Sequence, residues 1–313
     1  MSLRLSGKTE CAEGIAAFEL VDPLGRDLPV FMAGAHLDVH LPNGMVRQYS
    51  LRNAPAERHR YCLGVLREPY GRGGSAAMHG LAAGDTVEVG MPRNNFVLEE
   101  NAPVSLLVAG GIGVTPLLAM AHRLTELGRD FTFHYAARSA ARMAFREEIE
   151  ASAFAHRAHF HLDDGPGDQR LDLEAIASAG RPGARLYVCG PSGFMDAVID
   201  AARRGWPEEA IRREYFAAAP ITRRDADDAF RVRLALSGRS LEVPAGCTIV
   251  EALAAIGLEV PTSCEQGICG TCVTKVLSGT PDHRDLVLTD RERADRMTLC
   301  CSRALSDEIV LEL

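Results

Sequence analysis

Over roughly the first hundred residues, apolar and polar positions come in short runs separated by turn-forming residues. Ala35–Leu41, Val46–Leu51, Tyr61–Leu66 and Thr86–Gly90 have the composition of short strands, and Pro42-Asn43-Gly44 marks a turn between the first two. Regular short strands with little helix between them predict a small antiparallel β-barrel. From Pro103 the rhythm changes. A strand-like run, Val104–Ala109, leads into a helical period over Leu117–Leu127, with apolar side chains at Leu117, Leu118, Met120, Ala121 and Leu124. Strand Phe131–Ala136, helix Met143–Ala151, strand His159–Leu162, helix Leu173–Ala179, strand Arg185–Cys189 and helix Met195–Arg204 follow. Strands alternating with helices predict a parallel sheet covered on both faces, which is a doubly wound α/β nucleotide-binding domain.

The charged stretch Ile221–Asp228 carries no apolar period and reads as a linker. Beyond it, Val232–Leu236 and Ser240–Val243 flank Ser237-Gly238-Arg239 as a hairpin. Thr248-Ile249-Val250-Glu251 has the form of a capping box that opens a helix over Ile249–Ala255, and Ile309–Leu313 reads as a closing strand. One helix laid across a small sheet is a β-grasp-like unit. The pattern therefore predicts a multi-domain chain: an antiparallel β-barrel over 1–102, a doubly wound α/β domain over 103–222 and a β-grasp domain over 229–313.

Composition narrows the function. A formal net charge of −8 argues against a nucleic-acid partner, which would need a basic face. The amino terminus has no apolar run of signal-peptide type, and apolar segments such as Val104–Ala109 fall far short of the roughly 20 residues a membrane span requires. These features lead to the expectation of a cytoplasmic protein without a membrane partner. Nine cysteines change the picture. Disulfides are unexpected in a reducing compartment. Five of the nine, Cys264, Cys269, Cys272, Cys300 and Cys301, stand near the carboxyl terminus, which reads as a metal or redox site.

Three constellations carry chemistry. Cys264-x4-Cys269-x2-Cys272 with a later cysteine has the plant-type ferredoxin spacing for a 2Fe-2S cluster. Three thiolates on one tight loop fix such a cluster and a fourth arrives from a distant strand. Gly267 and Gly270 allow loop conformations that aim amide N–H groups at sulfur. Zinc is the alternative, although structural zinc sites usually pair two short clips. Spacing alone leaves the fourth ligand open between Cys300 and Cys301. Second, Gly110-Gly111-Ile112-Gly113-Val114-Thr115-Pro116 stands between a strand and a helix, where glycines let backbone approach a pyrophosphate. It lacks the last glycine of G-x-G-x-x-G. Tyr187-Val188-Cys189-Gly190-Pro191 lies at another strand end, and ligands of such folds bind beyond the carboxyl ends of strands. Cys189 could equally be core packing. Third, Arg47-Gln48-Tyr49-Ser50 is followed by Gly71-Arg72-Gly73-Gly74-Ser75, ahead of a short helix over Ser75–Leu81. Arginine can pair a phosphate bidentately and a neighbouring tyrosine can cover a flavin ring, although an Arg-x-Tyr on a strand is more often a solvated edge.

Taken in order, RQYSL, LREPYGRGGS, GGIGVTP, YVCGP, REYF and SCEQGICGTC with CCSRA resemble the phthalate dioxygenase reductase family over essentially the whole chain. That resemblance implies a flavin-binding barrel, an NAD-binding α/β domain and a plant-type ferredoxin domain. Arg47 would hold the FMN phosphate together with Gly73, Gly74 and Ser75. Tyr49 and Ser50 would contact the isoalloxazine, which Leu66 and Arg67 line and on which Phe216 packs. Gly111, Gly113 and Thr115 would meet the dinucleotide, while Cys189, Gly190 and Pro191 flank the nicotinamide. Ser50, Thr115 and Cys189 then form the environment of hydride transfer. Cys264, Cys269, Cys272 and, from the C-x-S-R-A pattern, Cys300 would ligate the cluster. The resemblance further implies an NADH-dependent oxidoreductase that takes a hydride on FMN and sends single electrons through the cluster to a Rieske-type oxygenase component. A haem or di-iron monooxygenase is the alternative acceptor, and a zinc-binding or redox-sensing interaction module is the alternative from another class.

Overall fold

The computed structural model describes residues 1–216 and 227–313, which form two compact units, Met1–Phe216 and Ala217–Leu313. The first two expected pieces thus lie in a single unit. Of the expected linker, Ile221–Ala226 fall outside the described residues, as does the expected end of the second piece at residue 222. Asp227 is described, and it is no linker residue. Its carboxylate takes both terminal guanidinium nitrogens of Arg284, at 3.0 and 2.6 Å, and its side chain is buried.

In the first unit, β1 (Ser2–Ala12), β2 (Ile15–Val21), β3 (His36–His40), β4 (Val46–Ser50), β5 (Tyr61–Leu66) and β6 (Thr86–Val89) form one antiparallel sheet in the order β4-β3-β6-β1-β2-β5. A bridge between Leu51 and Leu63 ties the two edge strands together and closes the barrel. Inward side chains such as Leu5, Phe18, Leu20, Leu37, Val39 and Leu63 fill it. The helix α1 (Gly74–Gly80) interrupts the sequence between β5 and β6. The expected strands are present. The long hairpin β1–β2 was not among them, because its outer half, Gly7–Ala12, has few apolar side chains with which to show a period.

The same unit continues with β7 (Ser105–Gly110), α2 (Val114–Glu126), β8 (Phe131–Ala137), α3 (Arg146–Glu150), β9 (Ala158–Leu162), α4 (Leu173–Ser178), β10 (Arg185–Cys189), α5 (Ser192–Ala202) and β11 (Ile211–Glu214). All five strands are parallel, in the order β11-β10-β7-β8-β9. Strand order reverses between β7 and β10, so the switch point at which such folds bind ligands falls at their carboxyl ends. One face packs α2 and Phe133, Tyr135 and Phe154; the other packs α4 and α5 around Val108, Val188 and Met195. Trp206 closes that second layer by donating its indole N–H to the Ile176 carbonyl at 2.8 Å. The helix expected over Met143–Ala151 is shortened to α3, because Phe145 takes a left-handed conformation (φ 61°) just ahead of it.

In the second unit, β12 (Phe230–Leu234), β13 (Ser240–Val243), α6 (Ile249–Ala255), β14 (Val273–Ser278), β15 (Pro281–Asp282), α7 (Asp290–Arg293), β16 (Arg296–Thr298), β17 (Arg303–Ala304) and β18 (Glu308–Leu311) build a mixed five-stranded sheet, β13-β12-β18-β14-β16, with β15 and β17 paired separately. The hairpin and the Thr248–Glu251 capping box are as expected, the box closing through Glu251 N–H to Thr248 Oγ1 at 3.1 Å and Thr248 N–H to Glu251 Oε2 at 2.8 Å. Ile249 and Leu253 of α6 pack against Val232, Val243 and Ile309.

Candidate functional site

Within the first unit, the strand ends of the parallel sheet lie directly against the barrel. Ser50 ends β4, is buried, and donates its hydroxyl to Glu214 Oε2 at 3.3 Å. Glu214 ends β11 in parallel register with Cys189, the last residue of β10. The turn from β7 into α2 packs onto that strand end so closely that a Cβ on Gly113 would overlap the Cys189 carbonyl. Two residues on, buried Thr115 faces the barrel: a Cβ on Gly64 of β5 would stand 2.8 Å from its methyl group and 2.9 Å from the Phe145 ring. Ser50, Thr115 and Cys189, far apart in sequence, are thus brought into one small region. Burial pushes the Cys189 thiol up, and the neighbouring Glu214 carboxylate pushes it further. Desolvation lifts Glu214 to about 8, only partly offset by the Ser50 hydroxyl. Sequence reasoning passed over Glu214. Its only signal in the sequence was a glutamate two residues before Phe216.

At the other end of β4, Arg47 donates to the Val46 carbonyl at 2.7 Å, and its side chain lies over Gly74, where a Cβ would come 2.6 Å from Nε. Gly73 takes φ +93°, and the Ser75 hydroxyl accepts the Glu68 N–H at 2.9 Å. Arg47, Gly73, Gly74 and Ser75 therefore share one corner of the barrel. Between the two ends stands Tyr49, whose buried hydroxyl has no hydrogen-bond partner among the described residues and is pushed up to about 12 by that burial. Leu66 is half-buried at the end of β5. Gly111 adopts φ +52°, and Gly190 lies against the Phe194 ring, 2.8 Å from where its Cβ would stand. Arg67, Pro191 and Phe216 are exposed.

The second unit gathers the cysteines. The Cys264 thiol meets those of Cys269 and Cys300, and the Cys300 thiol meets those of Cys264, Cys272 and Cys301. Those thiol contacts first, then the N–H groups of Gln266 and Ile268, pull Cys264 down; the Gln266 N–H donates to its sulfur at 3.3 Å. Gly267 and Gly270 both take φ +72°, and Glu265 takes φ 54°, where a side chain is strained. This is the loop conformation that the two glycines were expected to allow. Cys300 joins the three loop thiols; Cys301 lies beside it, its sulfur 3.0 Å from Thr298 Oγ1.

These donor sets fit the three groups. Four converging thiols suit a 2Fe-2S cluster. A buried hydroxyl without a partner beside an arginine-flanked glycine corner suits a flavin phosphate ester. A side-chain-free strand–helix turn at the switch point suits a dinucleotide.

Comparison with known proteins agrees. Residues 107–200 match the oxidoreductase NAD-binding domain and residues 232–305 the 2Fe-2S iron-sulfur cluster binding domain. A vanillate O-demethylase oxidoreductase from Pseudomonas is 51% identical over 306 residues, covering 96% of each chain. The solved structure of phthalate dioxygenase reductase, described as modular for electron transfer from pyridine nucleotides to [2Fe-2S], superposes with a TM-score of 0.75 at 41% identity and covers 100% of this chain and 98% of its own. This chain belongs to the phthalate dioxygenase reductase family. It is accordingly a flavin and iron–sulfur oxidoreductase whose cofactors are FMN, NADH and a 2Fe-2S cluster. An intact self-sufficient cytochrome P450 monooxygenase also contains a similar part, with a TM-score of 0.87 and 37% identity, of whose full length the reductase chain spans 41%. No helix of the described residues is long and apolar enough to cross a membrane.

Proposed function

We propose that the chain is the reductase component of a cytoplasmic oxygenase system, passing electrons from NADH to a Rieske-type oxygenase, an aromatic-ring dioxygenase or an O-demethylase. One observation carries the reading: Ser50, Thr115, Cys189 and Glu214 converge where the barrel meets the strand ends, on a chain that also closes four thiols around one loop. When bound, FMN would supply two-electron acceptance from NADH with one-electron release, and the cluster would supply one-electron carriage. The chain's own task is positioning. Arg47 and the Gly73–Ser75 turn hold the flavin phosphate, Tyr49 and Ser50 contact its ring, and Leu66, Arg67 and Phe216 line it. Gly111, Gly113 and Thr115 admit the dinucleotide backbone, while Cys189, Gly190 and Pro191 border the nicotinamide. Burial favours the protonated form of the Glu214 carboxyl beside Ser50 Oγ. No side chain need act as acid or nucleophile, because orientation is what hydride transfer requires. Cys264, Cys269, Cys272 and Cys300 hold the cluster. The three working modules are residues 1–102, 103–222 and 229–313.

Replacing Cys272 by serine tests the division of labour. NADH-dependent flavin reduction, followed by stopped-flow absorbance, should persist while delivery to the oxygenase stops. Loss of flavin reduction in a folded, FMN-loaded variant would sink the reading. A haem monooxygenase acceptor is the second reading, favoured by the similarity to the P450-fused reductase. Cluster reoxidation rates with purified Rieske and haem acceptors separate the two.

A further inference from the structure

Behind Cys300 a line of buried polar groups leads away from the thiol loop. The Arg284 backbone N–H donates to Ser302 Oγ at 3.3 Å. Ser302 Oγ lies 3.0 Å from Thr298 Oγ1, and Thr298 Oγ1 lies 3.0 Å from Cys301 Sγ. Cys301 in turn contacts the Cys300 thiol. Thr298, Ser302 and both cysteines are between 0% and 4% exposed, so water does not compete for these bonds. One direction of the line satisfies every bond in it. A backbone N–H can only donate, so Ser302 Oγ accepts there, and its own proton is available to Thr298 Oγ1, a pair in which either hydroxyl can be the donor. In that arrangement Thr298 donates to the Cys301 sulfur, and the Cys301 S–H is available to Cys300, which once ligated can only accept. Such a chain polarises every bond in it toward its end. The Cys301 sulfur lies against the thiol loop: a Cβ on Gly267 would stand 2.5 Å from it.

We propose that the Cys301 thiol is a positioning and tuning residue that donates a hydrogen bond to the sulfur of Cys300 and thereby raises the reduction potential of the cluster. The inference rests on Cys300 being the fourth ligand. Ligation removes the Cys300 proton. The ligand sulfur is then an acceptor only, and a hydrogen bond to it stabilises the more negative, reduced cluster. The second cysteine of the Cys300-Cys301 pair thus has a use although it binds no iron.

The test is an EPR-monitored redox titration of the full-length, FMN- and cluster-loaded protein, with Cys301→Ala, Cys301→Ser, Thr298→Val and Cys300→Ala beside the unaltered chain. In Cys301→Ala the cluster midpoint should fall by about tenfold in the one-electron equilibrium constant, about 59 mV. Cys301→Ser keeps a donor and should restore the midpoint. Thr298→Val should move it the same way but less. The FMN midpoint should not change in any of these, and Cys300→Ala should lose the cluster. An unchanged midpoint in Cys301→Ala overturns the inference and leaves the ligand assignment standing. Equal shifts in the alanine and serine variants also overturn it, since only packing would then matter. If Cys301→Ala loses the cluster while Cys300→Ala keeps it, the ligand assignment itself falls, and the inference with it. Should both lose it, Thr298→Val decides: a lowered midpoint upholds the donor chain and an unchanged one refutes it.

Discussion

At the scale of single residues, two positions show how neighbours decide chemistry. Glu214 ionises near pH 8 in the folded chain and near 4.5 when unfolded, because desolvation opposes its charge. The unfolded chain thus loses this proton first. Between those two values each rise in pH favours the unfolded state, and above about 8 the penalty is constant. Glu214→Gln should abolish that slope. It should also stabilise the protein at pH 7 by on the order of 2 kcal/mol, a figure reduced for the group's residual contact with water. Chemical denaturation of the two forms at pH 5 and pH 7 measures both effects. Gly113 is fixed by close approach rather than by backbone angle, since its φ is −61°. Gly113→Ala would drive a methyl into the Cys189 carbonyl. It should raise the KM for NADH with FMN content unchanged, a split that steady-state kinetics on a flavin-loaded sample resolves. Neither cause is local in sequence. Arg47, Tyr49 and Ser50 were legible as a motif and not as a site, because a solvated strand edge has the same pattern.

At the scale of elements, local chemistry and packing agree most closely where a terminus is marked. The helix α6 begins where its capping box says, and Ile249 and Leu253 carry its packing. Thr248→Ala removes the acceptor of the Glu251 N–H and should cost the second unit about 1 kcal/mol. Thermal unfolding followed through the cluster's visible absorption would read this. The five parallel strands were legible in part, since β7, β8, β9 and β10 carry recurring apolar side chains between helical patterns. β11 was missed. With only Ile211 buried, with Arg212 and Arg213 exposed and with Glu214 at its end, it has no apolar period and exists through its bonds to β10. Strands β14 and β16 also escaped notice, because β14 is mostly half-exposed and β16 is only three residues long. Phe145 shortened α3 in the opposite sense. Its helical surroundings are contradicted by a left-handed backbone that places the ring against Gly64 and under the Arg52 guanidinium, 4.2 Å from the ring centre.

At the scale of the whole molecule, the division of the chain into two units predicts a division of activity. The unit Met1–Phe216 holds every residue assigned to FMN and NADH, and its packed layers are its own. A chain ended after Phe216 should bind FMN and reduce it with NADH at an undiminished rate, yet fail to pass single electrons to an oxygenase. Anaerobic absorbance with NADH, then with acceptor, checks both halves. The formal charge of −8 should make partner reduction slow as salt rises if the acceptor presents a basic face. By itself the sequence determined the order of the modules, the thiol loop, the barrel and doubly wound classes and the family, because these rest on spacing and period, which are properties of neighbouring residues. The tertiary structure alone decided that the first two modules form one unit, that Glu214 stands beside Ser50 and Cys189, that Asp227 belongs to the second unit's ion pairs, and that Cys301 bonds to Thr298. Apart from the Cys301–Thr298 bond, which spans three residues, these are contacts between residues remote in the chain. What sets them is burial and the absence of a competing water, neither of which a sequence pattern contains.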